Sequence, residues 1–164
     1  MLEQSADGTV LERFAPAGPR QEPVRLALPA DRDHIVLARS AAAHLAAWLG
    51  LSVEAVEDFR LAVDEACCLV VGRGQDAGRT LICEFAESPD AVAVSVSAPV
   101  AGDFAGQQVG TFGWSLLESL VDRLWWSVEA GRAEVRLLKR RPGGGPAHRG
   151  PETTVGQEPP TWCV

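Results

Sequence analysis

Side chains able to do chemistry gather in one run of the chain, Asp58-Phe59-Arg60-Leu61-Ala62-Val63-Asp64-Glu65-Ala66-Cys67-Cys68-Leu69-Val70-Val71. A carboxylate such as Glu65 can take the proton of an attacking hydroxyl. On a helix face it can equally be an ordinary solvated charge. The four cysteines do not form a framework: Cys67 and Cys68 are neighbours in an expected helix, Cys83 falls in an expected strand, and Cys163 lies near the end. None belongs to a C-x-x-C or Cys/His cluster, so no metal site is expected. Cys67, Cys68 and Cys83 read as small apolar fillers. Redox activity is the alternative, with Cys163 as its exposed candidate. His34, His44 and His148 are scattered and need no catalytic role.

The elements that must position this run follow from periodicity. Residues 24–28 alternate and predict a strand, ended by Pro29. Asp31 or Asp33 can cap a helix reaching Leu49, with the stripe Ile35, Ala38, Ala42, Leu45 and Leu49 facing the core. Gly50 ends it. Ser52 then caps a second helix whose inner stripe is Val56, Phe59, Val63, Ala66 and Val70, and the Gly-rich stretch 72–78 breaks it. Strands are predicted at 80–86 and 91–97, joined by a turn over 87–90. A Pro- and Gly-containing loop spans 98–111, a helix 113–122, and two last strands 124–129 and 133–139. This β-α-α-β-β-loop-α-β-β order is dominated by hairpins. It predicts an α+β fold, a two-layer sandwich with a mainly antiparallel mixed sheet and helices on one face.

At 164 residues and 46% apolar content, one domain with its own core is expected. Residues 1–22 mix Gly, Pro and charge without periodicity and are expected to be mobile. The segment 141–164 has the composition of a disordered tail, which leaves 23–140 as the domain. A net charge of −7 argues against nonspecific binding to nucleic acid or anionic membrane. No apolar run approaches the roughly 20 residues of a membrane span, and Met1-Leu2-Glu3-Gln4-Ser5 has no signal pattern, so a cytoplasmic location is expected.

The element order, the phrase Arg60-Leu61-Ala62-Val63-Asp64-Glu65 and the later Phe112-x-Trp114 resemble the anti-sigma factor and serine-kinase branch of the GHKL, or histidine-kinase-like, ATPases. The likeness is to the RsbW/SpoIIAB type, nearest the actinobacterial UsfX-like anti-sigma factors, and covers about 23–140. It implies a Bergerat fold and assigns roles by position. Glu65 matches the family's catalytic base, but Leu69 stands where an Asn should hold magnesium, and an isobutyl group offers a hard cation no oxygen. Ala98 stands where an Asp should bind the adenine amino group. In that D-x-G-x-G element only Gly102 fits. In the phosphate-binding G-x-G element Gly113 is kept, Thr111 replaces the first Gly, and Gly110 is adjacent.

All three nucleotide motifs are thus altered. Poor or absent ATP binding and no efficient kinase activity are expected, and no cofactor is required. The resemblance implies an anti-sigma factor that sequesters an alternative sigma factor of the stress or sporulation group and is released by a STAS-domain anti-anti-sigma factor. It also implies a homodimer. The competing implication is an ATP-dependent protein-serine kinase acting on the STAS partner, with Glu65 as base. A third reading puts another small ligand, or thiol oxidation, in the place of ATP. Alignment of the first strand and cap places Arg39 at the family's partner-contacting arginine; without the resemblance it would be a solvated helix arginine. Of Trp125 and Trp126, strand geometry sends one inward and one outward. The outward one would mark either a partner surface or a ring lying on the sheet.

Overall fold

A computed structural model describes residues 22–72, 78–100 and 112–142. Five strands, β1 (Val24–Pro29), β2 (Thr80–Ser88), β3 (Ala91–Pro99), β4 (Arg123–Glu129) and β5 (Arg132–Arg140), form one sheet in the order β1-β2-β3-β5-β4. Every one of its four pairings is antiparallel. The helices α1 (Ile35–Trp48), α2 (Val53–Val71) and α3 (Phe112–Leu120) form the second layer. α2 is the central one and packs on β3, β5, α1 and α3. The architecture is the α+β sandwich that the hairpin pattern implies.

The layers follow from period. On β3, Val92, Val94 and Val96 face the helices and are fully buried. The alternate residues Ala91, Ala93, Ser95 and Ser97 lie on the other face, and are small enough to be covered by neighbouring strands. On α2, Phe59, Val63, Ala66 and Val70 are fully buried as the helical stripe requires, while Val56 is only partly covered. Burying a side chain such as Phe59 contributes about 2–3 kcal/mol. On α1, Ile35, Ala38 and Ala42 go inward as expected, Leu45 and Leu49 pack on the core with partial cover, and Ala46, outside the expected stripe, is fully buried. α1 and α2 pack on each other, and both carry buried alanines, at 38, 42 and 46 and at 55, 62 and 66.

Local chemistry sets the ends. Asp31, not Asp33, is the first cap: its Oδ1 accepts the His34 N–H at 3.1 Å and pairs with the His34 ring at 2.6 Å. That cap closes a 3-10 turn, Arg32–His34, and α1 proper begins only at Ile35. Ser52 caps α2 by accepting the Ala55 N–H at 3.2 Å. Pro29 does not precede the strand end but forms it, paired with Thr80. α3 stops at Leu120 because Asp122 is taken by the sheet: its backbone N–H donates to Leu138 at 2.9 Å and its carboxylate accepts from the Arg140 N–H at 2.7 Å. β2 runs two residues beyond its expected end, to a two-residue turn stapled by the Ser88 hydroxyl, which bonds Asp90 at 2.8 Å. The β4–β5 turn is Ala130-Gly131, both with positive φ (49° and 73°), the twist a two-residue hairpin needs.

The sheet face away from the helices carries a connected row. The Arg136 side chain, only 3% exposed, makes a forked bond to the Glu134 carboxylate at 2.8 and 2.6 Å. Ser95 donates to the same carboxylate. The guanidinium lies 4.1 Å from the centre of the Trp125 ring. Burial opposes ionisation of Glu134, but the Arg136 and Ser95 hydrogen bonds outweigh it and hold the carboxyl below its usual range. Trp125 is therefore the outward member of the tryptophan pair, a ring lying on the sheet beside an arginine, and Trp126 packs against the core.

Candidate functional site

The phrase 60–65 divides its work by helix geometry. Ala62 and Val63 are fully buried. Arg60, on the outer side, pairs with Glu57 at 2.7 Å. Asp64 reaches α1, where its carboxylate stands 3.5 Å from the Arg39 guanidinium. Glu65, next along, points toward α3. The 100° step between successive helical residues sends these side chains in different directions, and the packing of α1 and α3 on α2 sets which neighbour each one meets.

Glu65 is half-buried, and its carboxylate lies against Gly113 in the first turn of α3. A Cβ on Gly113 would fall well inside contact distance of Glu65 Oε1 and 3.1 Å from Cδ. The glycine permits this close approach; a methyl there would displace the flexible end of the Glu65 side chain. A carboxylate beside the first turn of a helix is favoured by the helix dipole. Among the described residues no cation pairs with Glu65.

Leu69, one turn beyond Glu65, is 7% exposed and belongs to the main core. Ala98 is fully buried on the helix-facing side of β3. Gly102, Gly110 and Thr111 lie outside the described residues, as does Cys163. Among the described residues, the positions that the resemblance assigns to nucleotide binding thus hold one carboxylate, Glu65, and one glycine, Gly113. The position it assigns to the metal holds the isobutyl group of Leu69, and the one it assigns to adenine holds the methyl group of Ala98. Magnesium needs oxygen ligands and adenine recognition needs an acceptor, so Leu69 and Ala98 do not fit a magnesium nucleotide. No group of three His, Cys, Asp or Glu side chains able to hold a metal occurs among the described residues.

The thiols face the interior. Cys67 and Cys83 are fully buried, one on α2 and one on β2. Their mutual hydrogen bond, then burial, pushes the Cys67 thiol well up. Burial also raises the half-buried Cys68. Neither Cys67 nor Cys68 has the depressed pKa of a reactive thiolate.

Arg39 sits on the outer side of the two-helix pair. Its side chain is 39% exposed and that of Asp64 is 31% exposed. One turn before each on its own helix lie Val36 and Leu61, both exposed. The Arg39 and Asp64 charges thus have an uncovered aliphatic side chain one turn away on each helix. Among the described residues the exposed tryptophan is Trp48, at the end of α1 and 77% exposed, with Val53 at 80% across the turn. The sequence singled out neither. Their signal is that both fall off the helical stripe, at the α1–α2 turn. At the start of α3, Phe112 is 85% exposed, while Trp114 is buried and its indole N–H donates to Glu118 at 3.0 Å. Lys139 ties the layers together, donating to Asp58 at 3.0 Å and to the Leu120 carbonyl at 2.7 Å.

A central helix carrying Glu65, a glycine-opened third helix and an antiparallel sheet behind them define a GHKL-type sandwich. The profile of the histidine kinase-like ATPase domain family matches residues 28–139, and the chain belongs to that family. Among solved structures it is similar to the RsbU and RsbW domains of Rv1364c from Mycobacterium tuberculosis, with a TM-score of 0.58 and 19% identity. The likeness covers 73% of this chain and 32% of that one, so this chain spans about a third of its length. No curated protein sequence matches the chain. No helix among the described residues is long and apolar enough to cross a membrane.

Proposed function

We propose that this protein is an anti-sigma factor of the RsbW type, nearest the UsfX-like group, which works by stoichiometric binding rather than phosphoryl transfer. It holds an alternative sigma factor of the stress or sporulation group and yields it to a STAS-domain anti-anti-sigma factor competing for the same surface. Relative affinities then set the free sigma population. The observation that carries this reading is a contrast between the interior of the sandwich and the outer side of its helix layer. The nucleotide side has buried aliphatic groups at Leu69 and Ala98, while the outer side keeps Arg39 accessible among uncovered apolar residues. A phosphotransferase without its metal ligand loses most of the charge stabilisation its transition state needs. A gripping surface loses nothing by the same change. The net charge of −7 complements the basic DNA-contacting face of a sigma subunit. A homodimer, as in the family the chain resembles, is the working assembly.

The decisive experiment is capture from native cell extract with the purified full chain. Recovery of a sigma subunit and a STAS protein, each displacing the other, is the expected outcome. Failure to retain any RNA-polymerase specificity subunit would overturn the reading. The kinase alternative draws on one observation, the Glu65 carboxylate held against Gly113. Transfer of radiolabel from ATP to the captured STAS protein would favour it.

A further inference from the structure

The sheet face away from the helices holds a cleft that the nucleotide and partner surfaces do not use. It lies where β1 and β2 meet the end of β3 and the start of β5, and encloses about 460 Å³. Arg25, Arg79 and Arg132 line it, with the hydroxyls of Thr80 and Ser97 and one acid, Glu84. Three cations against one anion make it positive within a chain of net charge −7.

The fold fixes the three guanidinium groups differently. Arg79 is anchored: it donates to the Val71 carbonyl at 3.1 Å and the Pro99 carbonyl at 3.0 Å, joining the end of α2 to the end of β3. Arg132 is steered by its Nε–H, which donates to Ser97 Oγ at 3.2 Å. The Ser97 hydroxyl, accepting there, keeps its own proton to donate. Arg25 is loosely held by Glu84 at 3.5 Å and is 63% exposed. Glu134 stands beside Arg132 on the same face, but its carboxylate is committed to Arg136 and Ser95. It therefore neutralises little of the cleft.

We propose that this cleft binds a small phosphate ester. The terminal N–H groups of Arg25 and Arg132 approach from β1 and β5 and match the oxygens of a phosphate dianion. Arg79, whose terminal N–H groups are spent on the Val71 and Pro99 carbonyls, adds positive charge, and the Thr80 and Ser97 hydroxyls complete the set. The volume exceeds that of a phosphate group and lies within the range of small-ligand sites. The Ile82 and Pro99 side chains supply a wall for the organic part. The cleft is separated from Glu65 and Gly113 by the sheet, so the site is independent of the sigma-binding reading and either can fail alone.

The test uses the full chain without magnesium, followed by amide NMR on titration with ribose 5-phosphate, inorganic phosphate and malonate. Saturable shifts centred on Gly78, Thr80, Ser97 and Arg132 are expected, tightest for the ester and weakening as salt is raised. Arg132→Gln should weaken ester binding at least tenfold with an unchanged melting temperature, and Arg25→Gln provides the same readout should the first variant not fold. Shifts confined to 112–114, malonate binding as tight as the ester, the absence of saturation, or unchanged affinity in both variants would overturn the proposal.

Discussion

Replacing Arg39 by Ala separates a binding role from a structural one, because the structure bounds the structural part. The Arg39–Asp64 pair is at 3.5 Å and both side chains are about one-third exposed. Such a pair contributes about 0–1 kcal/mol after solvent screening. Loss of the pair should lower the melting temperature by no more than about 4 °C, given roughly 4 °C per kcal/mol for a domain of this size. An arginine that anchors a protein interface is worth about 2 kcal/mol or more on truncation, which is roughly 30-fold in Kd. Calorimetric titration of the captured sigma subunit against wild type and Arg39→Ala reads the second number, and thermal unfolding reads the first. Asp64→Asn is the control. It frees the guanidinium without removing it, so affinity should stay within about threefold, the reach of a weak surface pair. An Arg39→Ala affinity equal to wild type, or a loss fully matched by unfolding, would refute the reasoning.

Other perturbations follow from the same geometry. Glu134→Gln leaves the buried Arg136 without its counter-ion and should cost about 2–3 kcal/mol at pH 7 in urea unfolding. The folded Glu134 carboxyl is depressed, so its contribution is full above the unfolded value near 4.3 and is lost as pH falls through the folded value. The gap between wild type and variant should therefore close on acidification, and a gap that widens would contradict the assignment. Leu69→Asn puts an amide into the core and should destabilise by about 2–4 kcal/mol; with Ala98 unchanged, calorimetry should still show no tight magnesium–ATP binding. Gly113→Ala should cost about 1 kcal/mol, because the new methyl displaces the flexible end of Glu65. Combined with Glu65→Ala the cost should largely vanish, a non-additivity that a double-mutant cycle measures directly. Ser52→Ala removes the α2 cap and should lower stability by about 1 kcal/mol.

Much of this was legible in the chain itself. Period-2 alternation in β2 and β3, the Phe59-Val63-Ala66-Val70 stripe and the Ser52 cap are properties of adjacent residues, so sequence alone determined them. The β4–β5 connection reads as the three residues 130–132 and closes to two because Arg132 pairs with Glu129. The same locality explains the errors at element ends. Asp122 reads as helix until β5 is present to take its hydrogen bonds, and Ala46, which the stripe left out, is fully buried while Leu45 packs on the core only in part. The sequence also determined which chemistry is lacking at Leu69 and Ala98, since no fold gives an aliphatic group an oxygen.

Tertiary structure decided the rest, because each remaining relation joins residues distant along the chain. Only packing of α3 onto α2 sets Glu65 against Gly113, 48 positions later. Only the antiparallel α1–α2 pair brings Arg39 to Asp64. Only strand order lays Arg136 over Trp125, and only the meeting of β1, β2, β3 and β5 gathers Arg25, Arg79 and Arg132 around one cleft. Side-chain type is written locally, whereas convergence of charges depends on crossing angles and register, which are set by the burial of the whole core at once.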